Sequence, residues 1–234
     1  MNPHFPYSQN EYQFPSGAKA DWEAIETKIW PILTPERQKK IKAVVDTRCF
    51  SVAIVLESIY DRGNISAVMR TGEGLGFANF HIVETFEKFK EANRVTQGAD
   101  KWVETNKWKS STACIEHLKS KGYQICVTAL APDSVPIQTV DFSKPTALVL
   151  GNEKQGVSQE MIAASDHKVI IPMPGFVQSF NISVAGALSM FHISQDRVQR
   201  MGKNEDISEL EKRKLSMVYA VHTLDSAEKI LKGT

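Results

Sequence analysis

Short apolar runs recur along the chain, and each is followed by a polar loop and then by a segment with helical spacing. Runs that are apolar at every position are typical of parallel strands that are covered on both faces. Because such strands alternate with helices, the pattern predicts an α/β domain with a largely parallel sheet. The predicted strands are residues 52–56, 80–83, 123–130, 147–150 and 169–171.

The most informative stretch of this pattern is residues 168–192, KVIIPMPGFVQSFNISVAGALSMFH. Pro172 and Pro174 end its strand, because proline lacks the N–H that a sheet requires. Small and apolar side chains follow at helical spacing, which predicts a closely packed helix over residues 183–200. A polar loop before a helix start is suited to a small polar ligand. The candidate caps of this helix are Ser179, Asn181 and Ser183.

Three further segments have a less regular pattern. Thr34 followed by Pro35 predicts the start of a helix that carries several lysines and arginines. Two interpretations of these charges remain open, a solvated helix face or a surface that contacts phosphates. Asn64 is predicted to cap the helix that follows it, and residues 85–108 are predicted to be helix and loop.

The two ends of the chain differ from its middle. The first 20 residues are interrupted by prolines and glycine and carry aromatic side chains, so we predict a flexible arm with apolar anchors. The last 30 residues are charged and have helical spacing. These changes predict an arm and short helix over residues 1–33, an α/β domain over 34–200 and a helical tail over 201–234.

Composition limits the classes of function. The net charge is +1, so a site for nucleic acid must be a local patch rather than a property of the whole surface. No apolar run approaches the roughly 18–20 residues that span a bilayer, and the N-terminus does not resemble a secretory signal. The histidines and the three scattered cysteines show neither metal-ligand spacing nor a disulfide framework. We therefore expect a cytoplasmic protein with no metal and no membrane association.

Three segments that each include or follow a predicted strand carry the candidate chemistry. They are NISAVMRTGEGLG from Asn64, LVLGNEKQGVS from Leu148 and IIPMPGFVQSFNISVAGALSMF from Ile170. In this order and spacing they resemble motifs 1, 2 and 3 of the SpoU/TrmH branch of the SPOUT methyltransferases. The resemblance covers roughly residues 34–200, and it is strongest to the members that methylate guanosine 18 of tRNA.

The resemblance implies a fold and a cofactor. The expected fold is an α/β, parallel-sheet SPOUT fold with a deep C-terminal trefoil knot. S-adenosylmethionine is expected to bind in the knot loops, largely through backbone groups, in a homodimer whose sites lie at the interface. Phe180 stands where the family usually has leucine, which leaves a backbone contact possible but alters the pocket. The implied cofactor-binding residues are Thr128, Leu150, Gly151, Ile171, Met173 and Phe180.

The resemblance also implies the catalytic residues. Arg70 matches the arginine that acts on the ribose 2′-hydroxyl across the dimer, either as a base or as a stabiliser of the developing alkoxide. Asn64 is expected to hold Arg70 or the backbone, its alternative being a simple helix cap. Glu153 is expected to anchor the knot and the Asn181 region. Ser179 and Asn181 are expected to order the catalytic loop.

The expected function is therefore S-adenosylmethionine-dependent 2′-O-methylation of a ribose in tRNA, at guanosine 18. An rRNA 2′-O-methyltransferase of the same family is the first alternative. Such relatives often carry a separate N-terminal RNA-binding domain, and only some 33 residues precede the basic helix here, which favours tRNA. An RNA-binding relative without activity is the second alternative, and the presence of all five catalytic residues argues against it.

Overall fold

The computed structural model of the chain describes residues 2–84 and 98–232. Its strands are β1 (Glu11–Gln13), β2 (Lys19–Asp21), β3 (Cys49–Glu57), β4 (Phe77–Val83), β5 (Glu104–Trp108), β6 (Gln124–Thr128), β7 (Val135–Pro136), β8 (Thr146–Leu150) and β9 (His167–Ile170). Its α-helices are α1 (Trp22–Lys28), α2 (Pro35–Val45), α3 (Arg62–Gly74), α4 (Ser111–Ser120), α5 (Gln159–Ala164), α6 (Ile182–Met201), α7 (Glu209–Thr223) and α8 (Ala227–Lys232).

The chain divides into two compact units. One consists of Met1–Arg48 together with Glu205–Thr234, and the other is the continuous segment Cys49–Asn204. The boundaries predicted from the sequence, at residues 33/34 and 200/201, differ from this division. Helix α2, which we assigned to the α/β domain, belongs with both chain ends in the first unit.

In the first unit, the N-terminal residues form a packed hairpin rather than the predicted flexible arm. β1 and β2 pair antiparallel, with Tyr12 opposite Ala20. Tyr12 and Phe14 are buried, and the Tyr12 hydroxyl lies 3.2 Å from Nε2 of His222 on α7. The structure thus differs from the predicted arm in that this segment is packed, and its aromatic residues act as the predicted anchors. They bury apolar area against helices that lie far away in sequence.

Helix α2 begins as predicted, with the Thr34 hydroxyl accepting the backbone N–H of Arg37. Its basic side chains are exposed, namely Arg37, Lys39, Lys40 and Lys42. The basic residues of α7 have partners within the unit. Lys212 lies 3.2 Å from Asp46, Arg213 pairs with Glu26, and Lys214 donates to three backbone carbonyls of residues 7–9.

In the second unit, the described residues form a parallel sheet of seven strands in the order β5-β4-β3-β8-β6-β9-β7. The five predicted strands correspond to β3, β4, β6, β8 and β9, which confirms the α/β fold. β3 and β4 are buried at every position, as continuous apolar runs require. The two strands that the sequence did not predict, β5 and β7, lie at the two edges of the sheet.

Strand β5 corrects the prediction of helix and loop over residues 85–108, of which 85–97 lie outside the described residues. Its sequence ETNKW is polar, because an edge strand has one neighbour and little burial. Trp108 Nε1 donates to Nδ1 of the buried His81 on β4, at 2.9 Å. Burial lowers the pKa of His81 to about 3, so the ring stays neutral and can accept this bond.

Two glycines allow α3 and α6 to pack closely in the core of this unit. A Cβ on Gly72 of α3 would lie 2.6 Å from Cζ of Phe80 and 3.1 Å from Sδ of Met190 on α6. A Cβ on Gly186 of α6 would lie 3.2 Å from Cγ2 of Val68 on α3 and 3.0 Å from Cδ1 of Leu150 on β8. Larger residues at these positions would force the helices apart, and their close approach places one side of α3 beside α6.

Candidate functional site

The candidate site residues collect around the carboxyl ends of parallel strands, where ligands bind in open α/β sheets. The loop after β3 leads into α3, the loop after β8 contains Glu153, and the loop after β9 runs through Pro172–Phe180 to the start of α6. β3 and β8 are hydrogen-bonded neighbours, with Leu56 opposite Leu150. The first two loops therefore start side by side.

A chain of hydrogen bonds joins these three loops. Asn64 Nδ2 donates to Glu153 Oε1 at 2.7 Å, and Asn181 Nδ2 donates to Asn64 Oδ1 at 3.4 Å. Asn181 Oδ1 accepts the backbone N–H of Ser183 at 2.9 Å and so caps α6, as one of the predicted candidates. One polar side chain from each of the three motifs thus takes part in this chain, and Asn64 is its central member.

The predicted cap of α3 is wrong. Asp61 caps this helix by accepting the backbone N–H of Gly63 at 2.7 Å, and Asn64 lies inside the first turn. The side chain of Asn64 is therefore available to reach Glu153, whereas the sequence-based prediction paired it with Arg70 or the backbone. Arg70 lies six residues further along α3 and so points away on a different side of the helix.

The loop after β8 is a tight turn that glycine makes possible. A Cβ on Gly151 would lie 2.4 Å from the carbonyl carbon of Gly156, so a larger residue does not fit. Asn152 and Gly156 exchange backbone hydrogen bonds of 2.9 and 2.8 Å. Asn152 Nδ2 also donates to the carbonyl of Ser58 at 2.7 Å, which ties the loop after β8 to the loop after β3.

Glu57 is a structural residue of this edge that the sequence analysis missed. It ends β3 and is 2% exposed. Its carboxylate accepts the backbone N–H of Ser158 at 2.8 Å, the Ser158 hydroxyl at 2.7 Å and the Ser111 hydroxyl. The signal in the sequence was an acidic residue at the end of a continuous apolar strand, because a buried carboxylate requires hydrogen-bond donors.

The predicted cofactor-binding residues lie at the ends of β6 and β8 and in the loop that runs from β9 to α6. Leu150 and Gly151 are buried, and the Thr128 hydroxyl donates to the carbonyl of Val149 at 3.0 Å. Ile171 and Met173 are partly exposed, and Phe180 is exposed. Exposed apolar side chains beside strand-end backbone groups fit an adenosine ligand, which needs apolar cover and a few hydrogen bonds.

Arg70 and Ser179 lie outside the hydrogen-bond chain. Ser179 is exposed on the loop that leads to α6. Arg70 is exposed and lines a groove of about 560 Å³ between α3 and α6. The other residues of the groove are Thr71, Gly74, Leu75, Ala187, Leu188 and Phe191. The structure thus separates the predicted catalytic residues into a hydrogen-bonded group and an arginine beside an apolar groove.

Comparison with known protein families identifies this arrangement. Residues 51–191, which contain all three motifs, match the SpoU rRNA Methylase family. The chain belongs to this family. The matched segment begins in β3 and ends within α6, so it includes every predicted catalytic and cofactor-binding residue.

Individual relatives agree with this assignment. The SpoU-family chain is 36% identical over 187 residues to a tRNA (guanosine(18)-2′-O)-methyltransferase of Borreliella burgdorferi, covering 80% of this chain and 85% of the relative. Its structure resembles the crystal structure of the Aquifex aeolicus TrmH/SpoU tRNA modifying enzyme, with a TM-score of 0.72 and 32% identity over 81% of this chain and 97% of the other.

A more distant structure carries a ligand. The AdoMet-bound rRNA methyltransferase from Sinorhizobium meliloti is 25% identical, with a TM-score of 0.57 over 65% of this chain and 59% of the other. Within residues 2–84 and 98–232, no group of three or more histidine, cysteine or acidic side chains is arranged to hold a metal ion. The described helices are too short or too polar to cross a membrane.

Proposed function

We propose that this chain transfers the methyl group of S-adenosylmethionine to the 2′-hydroxyl of guanosine 18 in tRNA. The observation that carries the proposal is the 36% identity to a relative of that activity over 80% of the chain, which includes the segment where Asn64, Glu153 and Asn181 meet. A catalytically inactive relative would not need to keep this set of polar side chains together.

S-adenosylmethionine supplies an electrophilic methyl group on a sulfonium, so the protein needs no metal ion for this reaction. We assign its adenosine to the ends of β6, β8 and β9. Gly151 and Leu150 provide backbone groups there, and Ile171, Met173 and Phe180 provide apolar cover. The hydrogen bonds that fix Asn152 and Gly156 keep this backbone in place before the ligand binds.

Arg70 is the residue that we assign to the ribose hydroxyl. A 2′-hydroxyl is a weak nucleophile that must lose its proton as it attacks. Arginine stays protonated because its pKa is above about 12, so it is suited to stabilise the developing alkoxide and to bind the adjacent phosphate. Ser179 and Asn181 order the loop before α6, and Glu153 holds Asn64 and, through it, Asn181.

We also propose that the active form is a homodimer with α6 in its interface. Val184, Leu188 and Phe191 are 44%, 42% and 55% exposed and lie along one side of α6. Exposed apolar patches of this kind mark interaction sites. The groove beside this face contains Arg70, so a second copy would bring its own cofactor loops to this arginine.

Two further expectations belong to the proposal. A deep trefoil knot formed by the C-terminal part of the second unit remains a prediction from the family resemblance. A cytoplasmic location is supported by the proposed tRNA substrate and by Cys49, Cys114 and Cys126, which are buried and not joined in disulfides, as fits a reducing compartment.

An rRNA 2′-O-methyltransferase is the second candidate, favoured by the likeness to the Sinorhizobium meliloti enzyme. That likeness is 25% in identity and covers 59% of the other chain, against 36% and 85% for the tRNA relative. The larger shared length extends beyond residues 51–191 of the family match, so more of the chain is shared with the tRNA relative. We therefore place tRNA first.

Methyl transfer to defined transcripts tests the proposal. The purified chain is incubated with labelled S-adenosylmethionine and a tRNA transcript, and with the same transcript carrying 2′-deoxyguanosine at position 18. We expect labelling of the first and none of the second, with rRNA as the comparison substrate. Labelling of rRNA alone, or no binding of S-adenosylmethionine by calorimetry at millimolar concentration, would contradict the proposal.

A further inference from the structure

Tyr60 is an aromatic residue at the functional edge to which neither the motifs nor the proposed chemistry assign a role. It lies in the short loop between β3 and α3, four residues before Asn64, and is 82% exposed. Single exposed apolar side chains are common and need no explanation by themselves. What distinguishes Tyr60 is the number of contacts that hold its loop.

Hydrogen bonds hold the residues before Tyr60 in a strained backbone conformation. Ser58 has a φ of 53°, a left-handed conformation that non-glycine residues rarely adopt and that persists where the surroundings enforce it. The backbone N–H of Ser58 donates to the carbonyl of Val83 at 2.9 Å, and its carbonyl accepts Asn152 Nδ2 at 2.7 Å. Ile59 is 3% exposed and belongs to the core.

The residues after Tyr60 are fixed as well. Asp61 caps α3, and Asn64 in its first turn donates to Glu153. Tyr60 therefore stands between two hydrogen bonds to the loop after β8, one through Asn152 and one through Glu153. A residue held in this way loses little conformational entropy when it binds a partner, which favours affinity.

From this geometry we infer that Tyr60 is a base-stacking residue that positions the methylated nucleotide or one of its neighbours in the RNA loop. Proteins recognise single-stranded RNA loops by stacking unpaired bases on aromatic side chains. A solvent-exposed aromatic ring on the loop that leads to Asn64 could hold a base while the ribose of that base or of its neighbour faces the methyl donor. The inference rests on the proposed function and adds a residue that selects and orients the RNA.

The experiment that tests this inference combines substitutions of Tyr60 with removal of individual bases from the RNA. Binding of tRNA transcripts is measured for wild type, Tyr60→Ala and Tyr60→Phe, using intact RNA and RNAs with an abasic site at guanosine 18 or at either neighbour. Loss of one stacked base should weaken binding of intact tRNA by Tyr60→Ala about tenfold, which corresponds to about 1.4 kcal/mol. Tyr60→Phe should bind as wild type does, because the ring is kept.

Whether the effects of Tyr60→Ala and of an abasic site are independent decides between stacking and a structural role for Tyr60. One of the abasic RNAs should weaken wild type and Tyr60→Phe but should cause no further loss in Tyr60→Ala. If the substitution and every abasic site weaken binding independently, or if Tyr60→Phe is as defective as Tyr60→Ala, the inference is wrong.

Two controls complete the design. Val135→Ala removes another exposed apolar side chain, on β7, and should bind RNA normally. Unchanged S-adenosylmethionine affinity in Tyr60→Ala shows that the fold is intact. A wild-type protein that does not methylate tRNA would contradict the proposed function instead, which separates the two failures.

Discussion

The two ends of α3 serve the candidate site in different ways. At its N-terminal end, Asn64 is held by Glu153 and Asn181 within the same unit. Towards its C-terminal end, Arg70 is exposed beside an apolar groove that this chain leaves open. The first end is already organised in one copy of the chain, whereas the second presents a surface that a partner would complete.

This difference indicates how the proposed reaction is divided. Groups that must be oriented before the ligand binds are fixed by hydrogen bonds, which limits the cost of ordering them later. The charged group assigned to the reacting hydroxyl lies beside the face of α6 that we propose as the dimer interface. Substitutions at the two ends of α3 should consequently impair the enzyme in different ways, and the following predictions distinguish their effects on methyl transfer, cofactor affinity and dimerisation.

Arg70→Ala should have the largest effect. Removal of one group that stabilises a developing oxyanion typically lowers kcat by about 10²- to 10³-fold, and here we expect at least the upper value. Affinity for S-adenosylmethionine should stay nearly unchanged, because Arg70 lies on α3 rather than in the loops after β6, β8 and β9. Single-turnover methyl transfer and calorimetry measure the two quantities.

Mixed dimers extend this test. An Arg70→Ala subunit combined with a subunit whose cofactor loop is blocked, for instance Gly151→Val, should recover part of the activity if Arg70 acts across the interface. Gly151→Val is expected to block the loop because a Cβ there would lie 2.4 Å from two backbone atoms. Recovery that is absent at every mixing ratio would place Arg70 in the same copy as its cofactor.

Ala187→Trp should reduce dimerisation and activity together, since Ala187 lines the same groove as Leu188 and Arg70. A bulky side chain there would keep a second helix from approaching closely. Sedimentation measures the association and methyl transfer measures the activity. The control is Ala163→Trp on α5, at an exposed position that does not line the groove, and it should leave both unchanged. A monomeric variant with full activity would refute the proposed dimer.

Asn64→Ala should have a smaller effect, about tenfold in kcat, because the reacting groups remain but lose some of their orientation. Asn64→Asp should be worse than Asn64→Ala, since it places a second negative charge against Glu153. Glu153→Gln should relieve that repulsion in the double variant. If Asn64→Ala lowers cofactor affinity and leaves kcat alone, Asn64 supports the ligand loops and has no part in positioning the reacting groups.

The smallest effect on methyl transfer should come from substitutions in α2, a helix of the first unit that is not part of the candidate site. Reversal of its exposed charges, Arg37, Lys39 and Lys40 to Glu, should weaken tRNA binding and reduce its dependence on salt, because fewer phosphate counterions are released. The activity at saturating tRNA should persist. Reversal of Arg213 is not an equivalent control, since it would break the pair with Glu26. An unchanged salt slope would make α2 an ordinary solvated helix.

Sequence reasoning succeeded where local pattern and burial agree. The continuous apolar runs of β3, β4 and β8, the Thr34 cap and the Asn181 cap each depend on residues within a few positions of one another. The edge strand β5 was missed because its alternation is weak and its stability comes from one neighbouring strand and from Trp108.

Long-range contacts explain the remaining errors. The hairpin of β1 and β2 was read as mobile because the partners that bury Tyr12 lie some 200 residues later in the chain. The cap of α3 was misplaced because Asp61 and Asn64 are both good caps, and only the contact with Glu153 decides between them. The roles of Glu57 and Tyr60 likewise depend on loops that meet in space.

The first unit is assembled from two segments that lie on either side of the second unit in the sequence, and this has a consequence during synthesis. Residues 1–48 are synthesised before the second unit, and residues 205–234 are synthesised after it. At about 5–20 residues per second, Tyr12 and Phe14 wait on the order of ten seconds before α7 is made. The second unit is a continuous segment that is synthesised in this interval. The aromatic side chains of the hairpin are therefore made well before the helix that buries them, and we expect chaperones to have access to them in this period.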